Sequence, residues 1–241
     1  RARIEKRVAA GYCELIADDL DQALTLVQEA QKKGIARSIS VVGNAAEVYP
    51  ELLKRGVVPD VVTDQTSAHD TLYGYVPVGM SIEETEALRK SNPTEVRKRA
   101  LASIAVEVQA MLQFKEKGSV VFDNGNNIRS QAAESGVANA FDIDIFTARY
   151  LRPLFCKGIG PFRWIALTGE PKDIQYIDQL VLDHFPDNEL AANWIKLAAE
   201  HIKFEALPAR ICWMGHGERT KLALLVNDAV RAKKLSGPIA F

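Results

Sequence analysis

Cysteine is scarce in this chain: three residues, Cys13, Cys156 and Cys212, stand far apart among 241. An odd, dispersed set excludes a disulfide framework, and no CxxC pair is present to grip zinc. Reduced thiols in a cytoplasmic protein are the expectation. Histidine is nearly as rare, and His184 and His201 fall in or beside helical patterns with no second histidine at ligand spacing. No metal is expected. Charge of one sign is missing as well, since 30 Lys and Arg face 31 Asp and Glu. Without a basic stripe, phosphates are not neutralised in series, so no nucleic-acid partner is expected. Long apolar runs are absent too. The longest, at 38–42 and 118–122, are strand-sized, whereas a membrane helix needs about 20 such residues. No charged start followed by an apolar segment opens the chain, whose first residue is Arg1. A fragment is expected, not a processed secretory protein.

What remains is a composition of 47% apolar and 25% charged residues, enough for one large domain or two modest ones. Strand-like and helix-like stretches alternate, which argues for α/β. Leu20, Ala23, Leu24, Val27 and Ala30 recur at helical spacing, with Asp18, Asp19 and Asp21 at the start and Gly34 at the end. A strand is expected at 38–42, a short helix to about Arg55, and a strand at 57–63. That succession predicts a βαβ crossover with its two strands parallel. Residues 81–117 read as two helices split near Asn92-Pro93, residues 118–122 as a strand, and a helix should follow to Gly136. Pro153, Gly158, Gly160 and Pro161 break the pattern, and the domain boundary is placed there. Beyond it come strands at 164–167 and 210–214 and helices at 172–184, 190–202 and 218–234.

In open α/β sheets, ligands gather where strands end and helices begin. Three such places are unusually polar. Gly43-Asn44-Ala45-Ala46 is one, more readily read on its own as an ordinary turn with an asparagine cap. Asp64-Gln65-Thr66-Ser67-Ala68-His69-Asp70 is the second, rich in hydrogen-bonding groups and followed by Tyr73-Gly74-Tyr75. Asp123-Asn124-Gly125-Asn126-Asn127-Ile128-Arg129 is the third, where a tight turn explains Asn-Gly well and the remaining Asn and Arg less well. Gly215-His216-Gly217-Glu218-Arg219-Thr220 matches a dinucleotide fingerprint only weakly, with threonine in place of the third glycine. Cys212 lies on an apolar strand, where cysteine is usually a small buried hydrophobe. Arg210 and the helix after the strand would lower its pKa if the thiol reached solvent.

The string DQTSAHD at residues 64–70, after GNAAEV at 43–48, resembles the urocanase family. Further matches are GNNIR at 125–129, RPLFC at 152–156, GPFRW at 160–164 and LPARICW at 207–213. The resemblance implies a urocanate hydratase of histidine catabolism, with tightly bound NAD+ acting as an electrophile, not a hydride carrier. It implies cofactor contacts at Arg3, Asn44, Ala45, Gln65, Thr66, Ser67, Ala68, His69, Tyr75 and Val76. It also implies a homodimer, and an active-site cysteine at Cys212 that shapes or polarises the pocket without forming a covalent bond.

Three departures stand out. Asn124 replaces a tyrosine that contacts the cofactor in the family, and Phe204-Glu205-Ala206 alters the edge of the cysteine motif. Family members are also longer, with a glycine-rich phosphate loop upstream of Arg1, so this polypeptide alone is expected to be inactive. The architecture expected is a Rossmann-like domain over 1–150 and part of a second α/β domain over 151–241. Two other readings stay open: a non-catalytic NAD-binding relative, and an NAD-linked dehydrogenase suggested by the α/β alternation.

Overall fold

The computed structural model describes residues 1–204 and 206–241. From its start the chain forms α1 (Ala2–Ala9), β1 (Leu15–Ala17), α2 (Leu20–Lys33), β2 (Ile39–Val41), α3 (Ala45–Lys54) and β3 (Val61–Asp64). Two helices follow, α4 (Ile82–Ser91) and α5 (Pro93–Glu116), then β4 (Val120–Asp123), α6 (Ile128–Glu134) and β5 (Asp144–Ile145). A π-helical turn, Thr147–Leu151, leads into the short α7 (Arg152–Phe155). The remainder is β6 (Gly160–Ala166), α8 (Pro171–His184), α9 (Glu189–His201), β7 (Ala209–Met214), α10 (His216–Arg231) and β8 (Ile239–Ala240). The class is α/β, as expected.

The chain packs as two compact units. One comprises Asp18–Gln22 and Val41–Arg152; the other comprises Arg1–Ala17, Ala23–Ser40 and Pro153–Phe241. In the first, β3, β4 and β5 run parallel, with Val62 beside Val121 and Asp64 beside Asp123. Helix α5 covers this sheet and buries Ala100, Ile104, Val108, Met111 and Phe114, residues three or four apart on one face. Each large apolar side chain buried there contributes roughly 1.5–3 kcal/mol. The break between α4 and α5 is chemical. Asn92 Oδ1 accepts from the Glu95 amide at 3.1 Å, and Pro93, lacking an N–H, takes the first helical position.

The second unit is built on an antiparallel sheet in the order β7-β6-β8. Its core joins Trp164, Ile174, Ile177, Ile195, Cys212, Met214 and Leu222. Arg210 from β7 and Asp178 from α8 form a buried ion pair at 2.6 Å. Trp213 stacks on Phe155 with ring centres 5.8 Å apart, and Trp194 donates to the Ile211 carbonyl at 2.6 Å.

Two expectations need correction. The strands expected at 38–42 and 57–63 do not share a sheet: β2 pairs with β1, and β3 with β4. The apolar stretch of β4 lets Val121 bury beside Val62 under α5, whereas β2 is only half-buried along its length. Gly160 and Pro161, read as breakers, open β6. Only β7 pairs with that end of the strand, so a proline that donates nothing is tolerated.

Candidate functional site

The strand-to-helix turn at Asn44 is ordered by its side chain. Asn44 Oδ1 accepts from the Ala46 amide at 3.0 Å and caps α3, whose first residue is Ala45. The other half of the same amide donates to the Val76 carbonyl at 2.8 Å. One side chain thus joins two strings 32 residues apart in sequence. Beside it an open cleft of about 500 Å³ is lined by Val42, Gly43, Asn44, Glu47, Val76 and Met80, among others.

The segment at 65–79 has no helix or strand, yet it is fastened at many points. Thr66 gives its carbonyl to Asn126 Nδ2 at 2.6 Å and its hydroxyl to Glu107 Oε1 at 3.0 Å. The Tyr75 hydroxyl donates to Glu107 Oε2 at 2.9 Å. Arg89 forks onto the carbonyls of Leu72, Tyr73 and Tyr75, and the Val78 amide donates to Ser103 Oγ at 3.0 Å. Within the loop, Gly74 passes so close to Ser67 that an added Cβ would lie 2.2 Å from its carbonyl oxygen. Ala68 and Tyr75 are buried, while Gln65, Ser67 and His69 are exposed. Main chain is pinned and donor-rich side chains face outward, the arrangement of a binding loop.

The third turn follows β4. Gly125 at φ 81° and Asn127 at φ 69° both occupy the left-handed region, which explains asparagine and glycine there. Asp123 Oδ1 accepts from the Gly125 amide at 2.8 Å, and its other oxygen pairs with Arg129. Asn126 Nδ2 also reaches Asp64 Oδ2. Asn124 is half-buried in this turn.

Burial pushes the Asp64 carboxyl up despite its bonds from Asn126 and Thr66, and neighbouring Asp123 adds to the rise. The remaining oxygen, Asp64 Oδ1, is buried with no partner among the described residues. An orphaned acceptor at the end of a parallel strand suits a hydroxyl donor such as a sugar. With the amide, hydroxyls and imidazole of residues 65–69, and the cleft beside Asn44 and Val76, this chemistry fits a dinucleotide.

Sequence reasoning missed Glu107, which is 0% exposed on the core face of α5. Burial pushes it up to about 7; the Tyr75 and Thr66 bonds oppose that, and Asp64 reinforces it. Its signal was legible in principle: a glutamate between Ile104 and Met111 interrupts an apolar helical stripe.

In the other unit, Cys212 is 1% exposed and packed in the core. Arg210 still favours the thiolate, but it is paired with Asp178 and its effect is outweighed. Burial pushes the thiol up to about 11, with Glu218 and Asp178 adding to the rise. The glycine turn after β7 has its own anion: Glu218 Oε2 accepts from the Gly215 amide at 2.6 Å, which leaves little for a phosphate. Arg3 is exposed on α1 of this unit, and Glu205 lies outside the described residues. The structure therefore brings together Asn44, Ala45, Gln65, Thr66, Ser67, Ala68, His69, Tyr75, Val76 and Asn124 within one unit, with Arg3 and Cys212 in the other. Comparison with protein families gives two matches: the Urocanase Rossmann-like domain over residues 1–150 and the Urocanase C-terminal domain over residues 153–241.

Proposed function

The chain belongs to the urocanase family, and from that premise we propose that it forms part of a urocanate hydratase, with an NAD+-binding domain at 1–150 and part of the substrate domain at 151–241. The reaction adds water to urocanate to give imidazolonepropionate. NAD+, when bound, supplies an electrophile that draws electrons from the substrate imidazole. The residues that hold it are Asn44, Ala45, Gln65, Thr66, Ser67, Ala68, His69, Tyr75 and Val76, with Arg3 and Asn124 as further contacts. The observation that carries this reading is the Asn44–Val76 hydrogen bond, which gathers the two distant cofactor strings into one place. The fastened loop at 65–79 supports it, because a pre-ordered loop binds without a large entropic cost.

Cys212 is the active-site cysteine in this reading, and its raised pKa bears on its role. A thiol neutral at pH 7 packs and donates weakly, but it does not attack. It shapes the substrate pocket. A cytoplasmic homodimer goes with the same reading, on family resemblance.

The test is loss of urocanate's near-ultraviolet absorbance by the intact protein, with NAD+ assayed after denaturation. Urocanate should disappear while NAD+ stays bound and unreduced. A folded, NAD+-loaded protein without turnover would favour a diverged binding relative, and Asn124 would be the first suspect. Accumulating reduced nicotinamide would instead favour a dehydrogenase. Cys212→Ala should lower turnover at least about tenfold, the loss of roughly 1.4 kcal/mol of transition-state stabilisation. Full turnover by that variant would remove Cys212 from the site.

A further inference from the structure

We propose that Glu107 is the positioning residue of the cofactor loop, its two carboxyl oxygens gripping the Thr66 and Tyr75 hydroxyls and so fixing both ends of the segment between them. This rests on the reading of that loop as the NAD+ site. Both bonds are short, at 3.0 and 2.9 Å, and they go to separate oxygens of one side chain. That side chain rises from α5, the longest helix of the chain and the one that covers the parallel sheet. The loop is thereby tied to a helix that is itself anchored in the core of its unit.

The position is an expensive one for a carboxyl. Glu107 is fully buried, no salt bridge to it is seen among the described residues, and Asp64 faces it from β3. An apolar residue would suit α5 better, since its neighbours on that face are Ile104, Val108 and Met111. Replacing a buried polar group together with its partners by apolar groups of the same shape can be nearly neutral. The two hydroxyls are the reason for a carboxyl here. Asn44 and Asn126 hold backbone carbonyls of the same loop, whereas among the described residues Glu107 alone holds side chains at both ends.

The loop between the two gripped residues contains Ser67, Ala68 and His69, and it turns back at Gly74, which no side chain can replace without moving Ser67. Releasing both ends lets this stretch explore other conformations while the sheet and helix remain. The expected signature is loss of cofactor without loss of fold.

The experiment uses the intact protein and three variants. Glu107→Leu removes both acceptors. Glu107→Gln keeps size and hydrogen-bonding capacity, accepting from Thr66 and donating to the Tyr75 oxygen. The pair Thr66→Val with Tyr75→Phe cuts the same bonds from the loop side. Three quantities are read: NAD+ retained after gel filtration, protease cleavage between Thr66 and Tyr75, and the thermal midpoint by circular dichroism. Glu107→Leu should retain at least tenfold less NAD+ and be cut faster in the loop, with its midpoint within a few degrees of wild type. Glu107→Gln should restore most of both properties, and the double variant should be cut as fast as Glu107→Leu. Normal loop protection and NAD+ retention in Glu107→Leu would overturn the proposal. So would parallel loss of midpoint and retention in Glu107→Leu with no rescue by Gln, since that describes a merely structural residue. Should Glu107→Leu fail to fold, the double variant decides, because unaltered loop cleavage there excludes the grip. If wild type itself takes up no NAD+, the functional reading fails, and the cleavage comparison still judges Glu107.

Discussion

A carboxyl buried between two hydroxyls changes its proton affinity when the chain folds. Burial lifts Glu107 from the usual 4.5 to about 7, so the native state holds the proton more tightly than the unfolded chain. Its contribution is full below the unfolded value and lost as pH rises towards the folded one. Stability should fall between about pH 4.5 and pH 7, at up to ~1.4 kcal/mol per pH unit for this one proton. Asp64 from β3, Tyr75 from the loop and Tyr49 from α3 are the titratable groups facing it, and Asp64 shifts in the same direction. Urea midpoints across that range should be flatter in Glu107→Gln than in wild type; equal slopes would show that Glu107 does not titrate there. At Gly74 the constraint is steric. Gly74→Ala should reduce NAD+ retention about tenfold or more by displacing Ser67, and unchanged retention would mean the backbone yields easily. The polar strings around Asn44, Thr66 and Asn124 were legible because they follow strands. Glu107 was passed over although it interrupts the apolar stripe from Ile104 to Met111, because a single charge in a long helix is first read as part of a solvated face.

At the scale of elements, periodicity and caps located α2, α4 and α5 within a residue or two. The Asp crowd before Leu20 and the Asn92-Pro93 break are strong local chemistry. β1, β5 and β8, each three residues or fewer, were missed, since their pairing is set by partners elsewhere in the chain. The same holds for the choice of β4 over β2 as the neighbour of β3. One tie between elements is open to direct measurement. Asp178 on α8 neutralises Arg210 on β7, and both are buried. Asp178→Ala leaves a buried, uncompensated guanidinium and should cost about 3–5 kcal/mol in urea unfolding. A loss under ~1 kcal/mol would mean that water reaches Arg210.

For the whole molecule, composition carried far. A net charge of −1 without a basic stripe predicts that labelled duplex DNA keeps its anisotropy in the presence of the protein, even at low salt. Salt-sensitive binding would contradict that reading. Among the described residues, no helix is long and apolar enough to cross a membrane. The interleaving of the two units was not legible. Asp18–Gln22 packs with one unit while the residues on either side pack with the other, and no proline or glycine marks those two crossings, unlike the one at Pro153. Contacts made over long sequence separations leave no local signature.

Trp164, Trp194 and Trp213 are the only tryptophans in the sequence, and all three stand in the unit that carries Cys212. Indole emission is therefore a lamp in one room. Melting of the parallel sheet, or slackening of the loop held by Glu107, has no indole beside it in its own unit. Those events have tyrosines to report them, Tyr49 and Tyr75 above all. Light emitted from the Cys212 unit reports first on the antiparallel sheet and core of that unit.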